Sequence, residues 1–557
     1  MLVNMVGRIV IILFFYNISI VVSEVTNFRD VTISQGVVRG YRQPEENIFT
    51  FENIPYATVP TGYEFYSAPL PPPTWNGTFE AIDRKTICQQ PRRENTIDSN
   101  IQEQCLIVNI FVPHGENLPV VVFVHGGAFL YGFGNSRTPK NLVKSGKVIA
   151  VTFNYRLGPH GFLCLGTKAA PGNAGLKDQI ALLRWIQNNI EKFGGNPNDV
   201  TISGCSAGSV SVDVLAVSKM AEGLFHKVIA GSSSNVNAFS VQTDPLKNAQ
   251  LFAQLLGFHN INDLEALEKF YLETPYEVLA NGSVLLYSRT DSVVLFSPCI
   301  EKDVGQEVSL DESPVKILES KNYTKLPMLY GFCEMEGLFR LNRFDEWKTQ
   351  MNENFLDFLP PDLGTSLKKR KTLANDIKEF YFGKEPVSDS NVSKYIDFFT
   401  DIMFGYGMLR SARLQLEAGN NQLYLYEYSF VHENDPFILN TTNKGATHCA
   451  QNTAVLDDPN EKTLSDEFKK MKAVMRELWL NFITTGAPVP QGSSYPAWPP
   501  MSLEGSFMSL NSTLEYRDAL NPESVNFWDN IIKHHYIYPK PPDHSTRSEF
   551  DLSRPLQ

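Results

Sequence analysis

The stretch that most constrains this chain is residues 200–208, where a short apolar strand runs into Gly-Cys-Ser-Ala-Gly (204–208). A run compatible with a helix follows from Ser209 onward. The two glycines allow a turn too tight for a side chain, so the hydroxyl of the central Ser206 is expected at its apex. Gly-x-Ser-x-Gly also occurs in ordinary loops. The pattern predicts a nucleophile only if the chain supplies a base, an acid and oxyanion donors as well.

Buried strands and amphipathic helices alternate around this stretch. The valine- and isoleucine-rich runs at 119–124 and 148–153 are typical of strands covered on both faces. Further strands are predicted at 106–112, 227–230, 326–331 and 423–428, an edge hairpin at 31–41, and helices at 174–193 and 465–485. The alternation indicates an α/β fold with a mostly parallel central sheet. Helical, aromatic-rich insertions at 238–320 and 339–400 are expected over the carboxyl edge of that sheet.

The N-terminus has the pattern of a secretory signal peptide over residues 1–23. Arg8 supplies a positive charge, residues 9–15 form a short apolar core, and Val21 and Ser23 suit the positions before a cleavage site. An N-terminal membrane anchor is the alternative, which Asn17 and the short core disfavour. The remaining residues, 24–557, are predicted to form one domain.

Several further features agree with export. No later stretch is predicted to span a membrane, and the polar tail at 545–557 shows neither a retention signal nor a lipid-anchor pattern. The sequence therefore predicts a secreted, extracellular protein without a stable membrane anchor. Candidate glycosylation sites of the Asn-x-Ser/Thr type are Asn76, Asn281, Asn322, Asn391, Asn440 and Asn511.

Composition excludes some classes of partner. A net charge of −12 argues against a nucleic-acid partner, which would require a basic face. No cysteine or histidine spacing suggests a metal site. Because the seven cysteines are an odd number, at least one stays unpaired or pairs between chains. Cys88 and Cys105 close a polar loop, and an oxidising compartment favours a disulfide between them.

Candidate partners for Ser206 follow it in the order Ser, acid, His that α/β-hydrolases use. His448 lies in a glycine-containing loop soon after the strand at 423–428. The acid should follow a strand between the two, and both Glu334 and Glu336 come directly after the strand at 326–331. Oxyanion donors are expected from the glycine turn at 124–129, which follows an earlier strand.

With these features the chain resembles the type-B carboxylesterase and cholinesterase family, an α/β-hydrolase family, from about Val31 to Trp528, and some details resemble its insect secreted branch. The residues that carry the resemblance are Ile54-Pro55-Tyr56-Ala57, Asn154-Tyr155-Arg156-Leu157-Gly158, 172–179, Phe193-Gly194-Gly195-Asn196-Pro197, Ser206-Ala207-Gly208, Glu336-Gly337, Gly445-Ala446-Thr447-His448 and Trp498-Pro499.

The resemblance implies roles for particular residues. It selects Glu336 as the acid, because the family's acid is the glutamate directly before a glycine. It implies oxyanion donors at the N–H groups of Gly127, Ala128 and Ala207. It also implies the disulfide between Cys88 and Cys105.

The chain departs from the family pattern at three places. Glu64 stands before Phe65 where the family usually has arginine, so the usual ion-pair partner of Glu103 is missing. Cys449-Ala450-Gln451 follows His448 where acidic residues are typical. Cys205 occupies a position that carries glutamine in juvenile-hormone esterases and glutamate in cholinesterases, so the sequence favours neither substrate class.

These observations predict a secreted carboxylic-ester hydrolase that uses Ser206, His448 and Glu336, forms an acyl-enzyme and needs no metal or organic cofactor. Its partner would be a small-molecule ester. An inert relative used for adhesion or ligand binding is the alternative, and the intact triad disfavours it. Cys205 and Cys449 each adjoin a triad residue; they are interpreted as unpaired small side chains, with a disulfide between them as the second possibility.

Overall fold

The fold is described by a computed structural model that covers residues 27–42, 47–92, 98–282, 289–439 and 441–545. The predicted signal peptide and the glycosylation candidate Asn440 lie outside these ranges. The strands are Phe28–Ile33 (β1), Gly36–Tyr41 (β2), Ile48–Pro55 (β3), Thr78–Glu80 (β4), Thr86–Ile87 (β5), Asn100–Ile101 (β6), Ile107–Pro113 (β7), Leu118–Val124 (β8), Ile149–Phe153 (β9), Gly195–Cys205 (β10), Lys227–Gly231 (β11), Met328–Cys333 (β12), Leu423–Tyr428 (β13), Phe507–Leu510 (β14) and Leu514–Arg517 (β15).

The α-helices alternate with these strands. They are Lys140–Val143 (α1), Gly158–Phe162 (α2), Ala174–Asn189 (α3), Ala207–Leu215 (α4), Pro245–Leu255 (α5), Leu264–Glu273 (α6), Tyr276–Gly282 (α7), Pro314–Ser320 (α8), Phe344–Glu353 (α9), Leu367–Phe382 (α10), Val392–Thr400 (α11), Tyr406–Glu417 (α12), Ala450–Val455 (α13), Asp466–Thr485 (α14) and Pro522–His535 (α15). Among the described residues, no helix is both long and apolar enough to cross a membrane.

Thirteen of the described strands form one mixed sheet, in the order β1-β2-β3-β7-β9-β8-β10-β11-β12-β13-β14-β15 with β4 beside β2. Every pair from β9 through β14 is parallel, and the flanking pairs are antiparallel apart from β2 with β4. The predicted α/β-hydrolase fold with a largely parallel central sheet is therefore confirmed. Because parallel strands end at the same edge, the loops after β8, β10, β12 and β13 meet there.

The central strands are buried on both faces, as their apolar runs predict. In β8, Val120 and Val122 pack into one hydrophobic core, whereas Val121 and Phe123 pack into the other. Helix α3 contributes to the first core and α14 to the second. The sheet is thus covered on both sides, and each fully buried large apolar side chain contributes about 1.5–3 kcal/mol relative to an exposed one.

Several element boundaries differ from the predicted ones, and two of these differences have a clear local cause. The helix predicted to reach Phe193 ends as an α-helix at Asn189 and continues as a 3-10 turn, which Gly194 terminates with φ of 94°. The strand predicted at 326–331 runs instead from Met328 to Cys333. Pro327 has no N–H to donate to a neighbouring strand, and the ladder to β13 begins at Met328.

A buried ion pair secures the segment where the chain departs from the family. Arg156 and Asp178 are fully buried, and Arg156 Nε and Nη2 each donate to the Asp178 carboxylate. The same guanidinium donates to the carbonyl oxygens of Phe65 and Ser67. Glu64 and Glu103 are exposed, and the described residues include no ion pair to Glu103. The segment is therefore held through its backbone, and among the described residues Glu64 makes no ion pair.

Candidate active site

Ser206 lies at a strained turn between β10 and α4. Its backbone has φ of 60° and ψ of −127°, outside the regions that L-residues commonly adopt. Such a conformation costs about 1–3 kcal/mol and persists only where the surroundings impose it. Here the Ser206 N–H donates to Gly231 O at 2.9 Å, and Ser206 O accepts from Val210 N at 3.0 Å. The predicted serine turn is therefore present.

The two glycines of the turn are required by close backbone contacts. A Cβ on Gly204 would lie 2.2 Å from Gly208 O, and a Cβ on Gly208 would lie 2.1 Å from Val124 O. Backbone atoms cannot yield to such an overlap as a flexible side chain could. The Gly-x-Ser-x-Gly spacing therefore follows from the packing of α4 against β8 and β10.

His448 and Glu336 are in direct contact. His448 Nδ1 lies 2.5 Å from Glu336 Oε2, and the other oxygen of Glu336 accepts from Cys333 N at 2.8 Å. The Glu336 carboxylate is fully buried, and a hydrogen bond from Met335 N to Ala446 O joins the two loops. A histidine that donates from Nδ1 leaves Nε2 as the acceptor. Glu334, the other candidate acid, is exposed.

Ser206 and His448 line one cavity of about 240 Å³. The described residues include no hydrogen bond between Ser206 Oγ and His448. Catalytic hydrogen bonds of this type are often long before substrate binds and tighten afterwards. The structure thus brings the serine to the same cavity as the His448–Glu336 pair.

The predicted oxyanion turn lies against the serine turn. Gly127, Ala128 and Phe129 have φ of 114°, 53° and 58°. A Cβ on Gly126 would lie 2.5 Å from Cys205 O and 3.2 Å from Ser206 Cβ, so the two turns are in close contact.

The three predicted donors face different surroundings. Gly127 and Ala128 line the cavity, and the N–H of Ala207 begins α4. Within the described ranges, no acceptor takes the N–H of Gly127, Ala128 or Ala207. A helix start also favours negative charge through its dipole. These groups are thus available to an anion.

His125 supports the oxyanion turn. Its Nδ1 donates to Gly126 O at 2.9 Å, its ring stacks on Tyr155 at 4.3 Å, and the Tyr155 hydroxyl donates to His125 O. Burial lowers the pKa of His125 to about 4, so the ring is neutral at neutral pH. Sequence reasoning missed this role, because His125 was only one member of the glycine turn.

Aromatic side chains surround the histidine. The ring centroid of Phe404 lies 4.3 Å from that of His448, and the ring of Phe339 lies 5.3 Å away. Phe404 belongs to a π-helical turn, Asp401–Gly405, between α11 and α12. Asn237 Nδ2 donates to the carbonyl oxygens of Met403 and Phe404 at 2.7 and 3.0 Å. π-Turns often mark functional sites, and this one directs two side chains into the cavity.

The rest of the cavity is mainly apolar. Residues 293–295 come from one of the predicted insertions and Phe339 from the other, so both insertions contribute to the site. The cavity residues are Gly126, Gly127, Ala128, Leu130, Tyr131, Cys205, Ser206, Phe239, Val293, Val294, Leu295, Phe339, Arg340, Met403, Phe404, His448, Cys449 and Asn452. Among the described residues, no group of histidine, cysteine, aspartate and glutamate side chains could hold a metal ion.

Six of the seven cysteines form disulfides. Cys88–Cys105 is present as the resemblance implies, and Cys164–Cys299 is a second bond. The interpretation of Cys205 and Cys449 as unpaired is wrong, because they form the third disulfide with a Cα–Cα distance of 6.2 Å. The ends of β10 and β13 lie at the same sheet edge, which brings together residues 244 positions apart. Cys333 is the remaining thiol and is buried.

The described glycosylation candidates differ in their surroundings. Asn76, Asn281, Asn322 and Asn511 are exposed. Asn391 is half-buried: its side chain donates to Pro386 O and accepts from Ser388 N in a capping box. A glycan on Asn391 would compete with that cap, so the exposed four are the better acceptors.

A buried acid links the serine helix to the rest of the sheet edge. Asp213 of α4 accepts hydrogen bonds from the Tyr330 hydroxyl, Asn235 N and the Ser411 hydroxyl. Desolvation by burial raises the pKa of Asp213 from 3.8 to about 6. Compared with the unfolded chain, the folded state therefore favours the neutral form of the Asp213 carboxyl. The stability that this protonation contributes is fully present below about pH 4 and is lost as the pH rises through about 6.

We expect Asp213→Asn to reduce the pH dependence of stability. Between pH 4 and pH 8 the unfolding free energy of the variant should fall by roughly 2 kcal/mol less than that of the unchanged chain. Burial also raises the pKa values of Asp362 and Asp401 to about 6, and these two groups contribute equally to the pH dependence of stability in both proteins. Urea unfolding at the two pH values measures the difference, with exposed Asp376→Asn as the control. Equal falls in both proteins would contradict this account of Asp213.

Comparison with known proteins identifies the class of protein that this fold and site define, the α/β-hydrolases. The Carboxylesterase family matches residues 27–528. A juvenile hormone esterase of Heliothis virescens is 30% identical over 535 residues, which cover 90% of this chain and 92% of that protein. Esterase FE4 of Myzus persicae is 30% identical over 541 residues, with 92% and 94% coverage.

A crystal structure agrees with these sequence matches. The juvenile hormone esterase of Manduca sexta, with OTFP covalently attached, matches with a TM-score of 0.81 and 27% identity, covering 91% of this chain and 100% of that one. The chain belongs to the carboxylesterase family. It is a carboxylesterase-type ester hydrolase, as the sequence predicts.

Proposed function

We propose that the protein is a secreted carboxylesterase in which Ser206, His448 and Glu336 act as nucleophile, base and acid. The observation that carries this proposal is the contact between His448 Nδ1 and buried Glu336, in a cavity that Ser206 also lines. Signal-peptide cleavage after Ser23 and a single domain over 24–557 belong to the same proposal.

The geometry supports a two-step reaction. His448 Nε2 takes the proton of Ser206 Oγ as the oxygen attacks the ester carbonyl. Glu336 keeps the Nδ1 hydrogen in place and stabilises the imidazolium that forms. The alcohol leaves with the proton from His448, and an acyl-enzyme remains. Water activated by His448 then releases the acid and regenerates Ser206.

The N–H groups of Gly127, Ala128 and Ala207 would receive the developing oxyanion. Each such donor stabilises the transition state by roughly 3 kcal/mol when it is aimed at the charged oxygen. The positive φ values in the oxyanion turn support this role, because they hold successive N–H groups in an arrangement that ordinary strands and helices do not adopt.

The cavity favours esters with an apolar group. Phe239, Phe339, Met403, Phe404 and residues 293–295 are among the apolar residues of its wall. An acyl or alcohol chain buried there is stabilised by about 25 cal/mol per Å² of apolar surface removed from water. We therefore expect small-molecule esters as substrates, and no nucleic acid.

Turnover of a p-nitrophenyl ester series tests this function. The secreted protein, purified from culture medium, should hydrolyse esters from acetyl to octanoyl, with kcat/KM rising with chain length until the cavity is full. The p-nitrophenyl ester of succinate, which carries a charge, is the control for the neutral butyryl ester. Its kcat/KM should be lower, because its carboxylate would lose water in a mainly apolar cavity. Failure to hydrolyse any member above the rate in buffer would favour an inert binding protein instead.

A further inference from the structure

The Cys205–Cys449 disulfide is built into the candidate active site. Cys205 directly precedes Ser206, and Cys449 directly follows His448. Both cysteines line the cavity, and Cys449 Sγ lies 3.8 Å from His448 Nε2. One covalent bond therefore joins the turn that carries the serine to the loop that carries the histidine.

Hydrogen bonds hold the loop that carries His448 on both sides of that residue. It follows β13, which ends at Tyr428, and regular structure resumes with α13 at Ala450. On one side Ala446 O accepts from Met335 N. On the other side Gln451 donates to Ser232 Oγ at 2.7 Å and accepts from the Cys333 thiol at 2.8 Å. These hydrogen bonds, and the one between His448 and Glu336, tie the loop to the ends of β11 and β12. Among the described residues, the disulfide is the covalent tie to the serine turn, beside a 3.7 Å hydrogen bond from Gln451 Nε2 to Cys205 Sγ.

We propose that the Cys205–Cys449 disulfide positions His448 relative to Ser206, and that reduction of this bond by a small dithiol lowers ester turnover. The inference rests on the proposed roles of Ser206 and His448. A disulfide holds its two Cα atoms within a narrow range of distances, and each catalytic residue is one Cα step of about 3.8 Å away. A misplacement of about 1 Å between reacting groups costs up to ~100-fold in rate.

The cavity gives a reductant access to this bond. Cys449 is half-buried at the cavity wall, whereas Cys88, Cys105, Cys164 and Cys299 are at most 1% exposed. A dithiol should therefore reduce the active-site disulfide before the other two.

The reduction is a two-electron thiol–disulfide exchange. One thiolate of the dithiol attacks a cystine sulfur, which breaks the S–S bond, forms a mixed disulfide and releases the other cysteine as a thiolate. The second thiolate of the dithiol then displaces the remaining cysteine. The products are two protein thiols and the cyclic, oxidised form of the reductant.

A pair of double variants tests the positioning role. Cys205→Ala with Cys449→Ala should lower kcat about 10- to 100-fold, change KM much less, and slow the reaction with a fluorophosphonate in proportion to kcat. Cys164→Ala with Cys299→Ala removes a disulfide outside the cavity lining and is the matched control. It should keep kcat while its melting temperature falls. Rates are compared per folded molecule, from the amplitude of thermal unfolding.

Brief dithiothreitol treatment of the unaltered protein gives a second test that does not require a variant to fold. Turnover should fall as Cys205 and Cys449 become alkylated by iodoacetamide, while peptide mapping still finds Cys164 joined to Cys299. Reoxidation of samples that have not been alkylated should restore ester turnover. A bound fluorophosphonate should slow the reduction, because it fills the route to the bond.

The outcomes separate this inference from the proposed function. A protein that hydrolyses esters equally well with and without the Cys205–Cys449 bond, within about twofold, would overturn the inference alone; so would a rise in turnover on reduction. A protein with intact disulfides that neither hydrolyses esters nor reacts with the fluorophosphonate would overturn the proposed function and the inference together.

Discussion

Replacement of Ser206 by alanine should lower ester turnover by about 10⁴- to 10⁶-fold, the largest effect expected for this chain. The variant keeps the turn, since alanine at φ of 60° meets the same contacts as serine, but it has no oxygen to attack the carbonyl. The loss should appear in kcat, whereas substrate should still bind because the apolar walls of the cavity are unchanged. Steady-state kinetics with a p-nitrophenyl ester measures the loss.

Ser203→Ala is the control for Ser206→Ala. Ser203 lies three residues earlier in β10, is buried and is not part of the cavity wall. Its variant should keep turnover close to that of the unaltered protein. Turnover by Ser206→Ala at more than about one hundredth of the unaltered rate would mean that another group attacks the ester.

Glu336→Gln should lower kcat by about 10⁴-fold, the loss observed when the acid of such a triad becomes an amide. The Cys333 N–H already donates to Glu336 Oε1, so a glutamine would direct its oxygen there and its NH₂ toward His448. His448 Nδ1 must then accept, which shifts its hydrogen to Nε2. The nitrogen that should take the Ser206 proton would already carry one.

Glu334→Gln is a matched control for this substitution. Glu334 lies two residues earlier, is exposed, and follows the same strand. Its variant should keep kcat and KM. Measured kcat for the two variants decides between the acids: a large loss in Glu334→Gln with little in Glu336→Gln would reverse the assignment.

Much of the fold could be predicted from local patterns. The apolar runs, which are strictly local signals, predict β13 with its observed ends and β8 and β9 to within one residue. The serine turn can be predicted because its glycines are required by close backbone contacts. These contacts lie within a few residues and with one neighbouring strand. The predicted strand ends are wrong where a single residue changes the hydrogen bonding, as at Pro327.

The site required information that spacing does not contain. Glu334 and Glu336 both follow β12, and only the resemblance distinguished them, because the side-chain directions after a strand depend on the turn. The Cys205–Cys449 bond depends on the spatial order of β10 and β13, which are separated in the sheet by β11 and β12. The π-turn at Asp401–Gly405 accepts a hydrogen bond from Asn237, which is distant in the sequence. No composition signal marks this turn.

The site of covalent labelling by a fluorophosphonate tests the central claim most directly. The intact protein should gain one phosphonyl group as ester turnover is lost, and peptide mass spectrometry should find that group on Ser206. Ser206→Ala should gain none, and Glu336→Gln should react far more slowly than Glu334→Gln. A full equivalent on any residue other than Ser206, or complete loss of turnover without a label, would contradict the account.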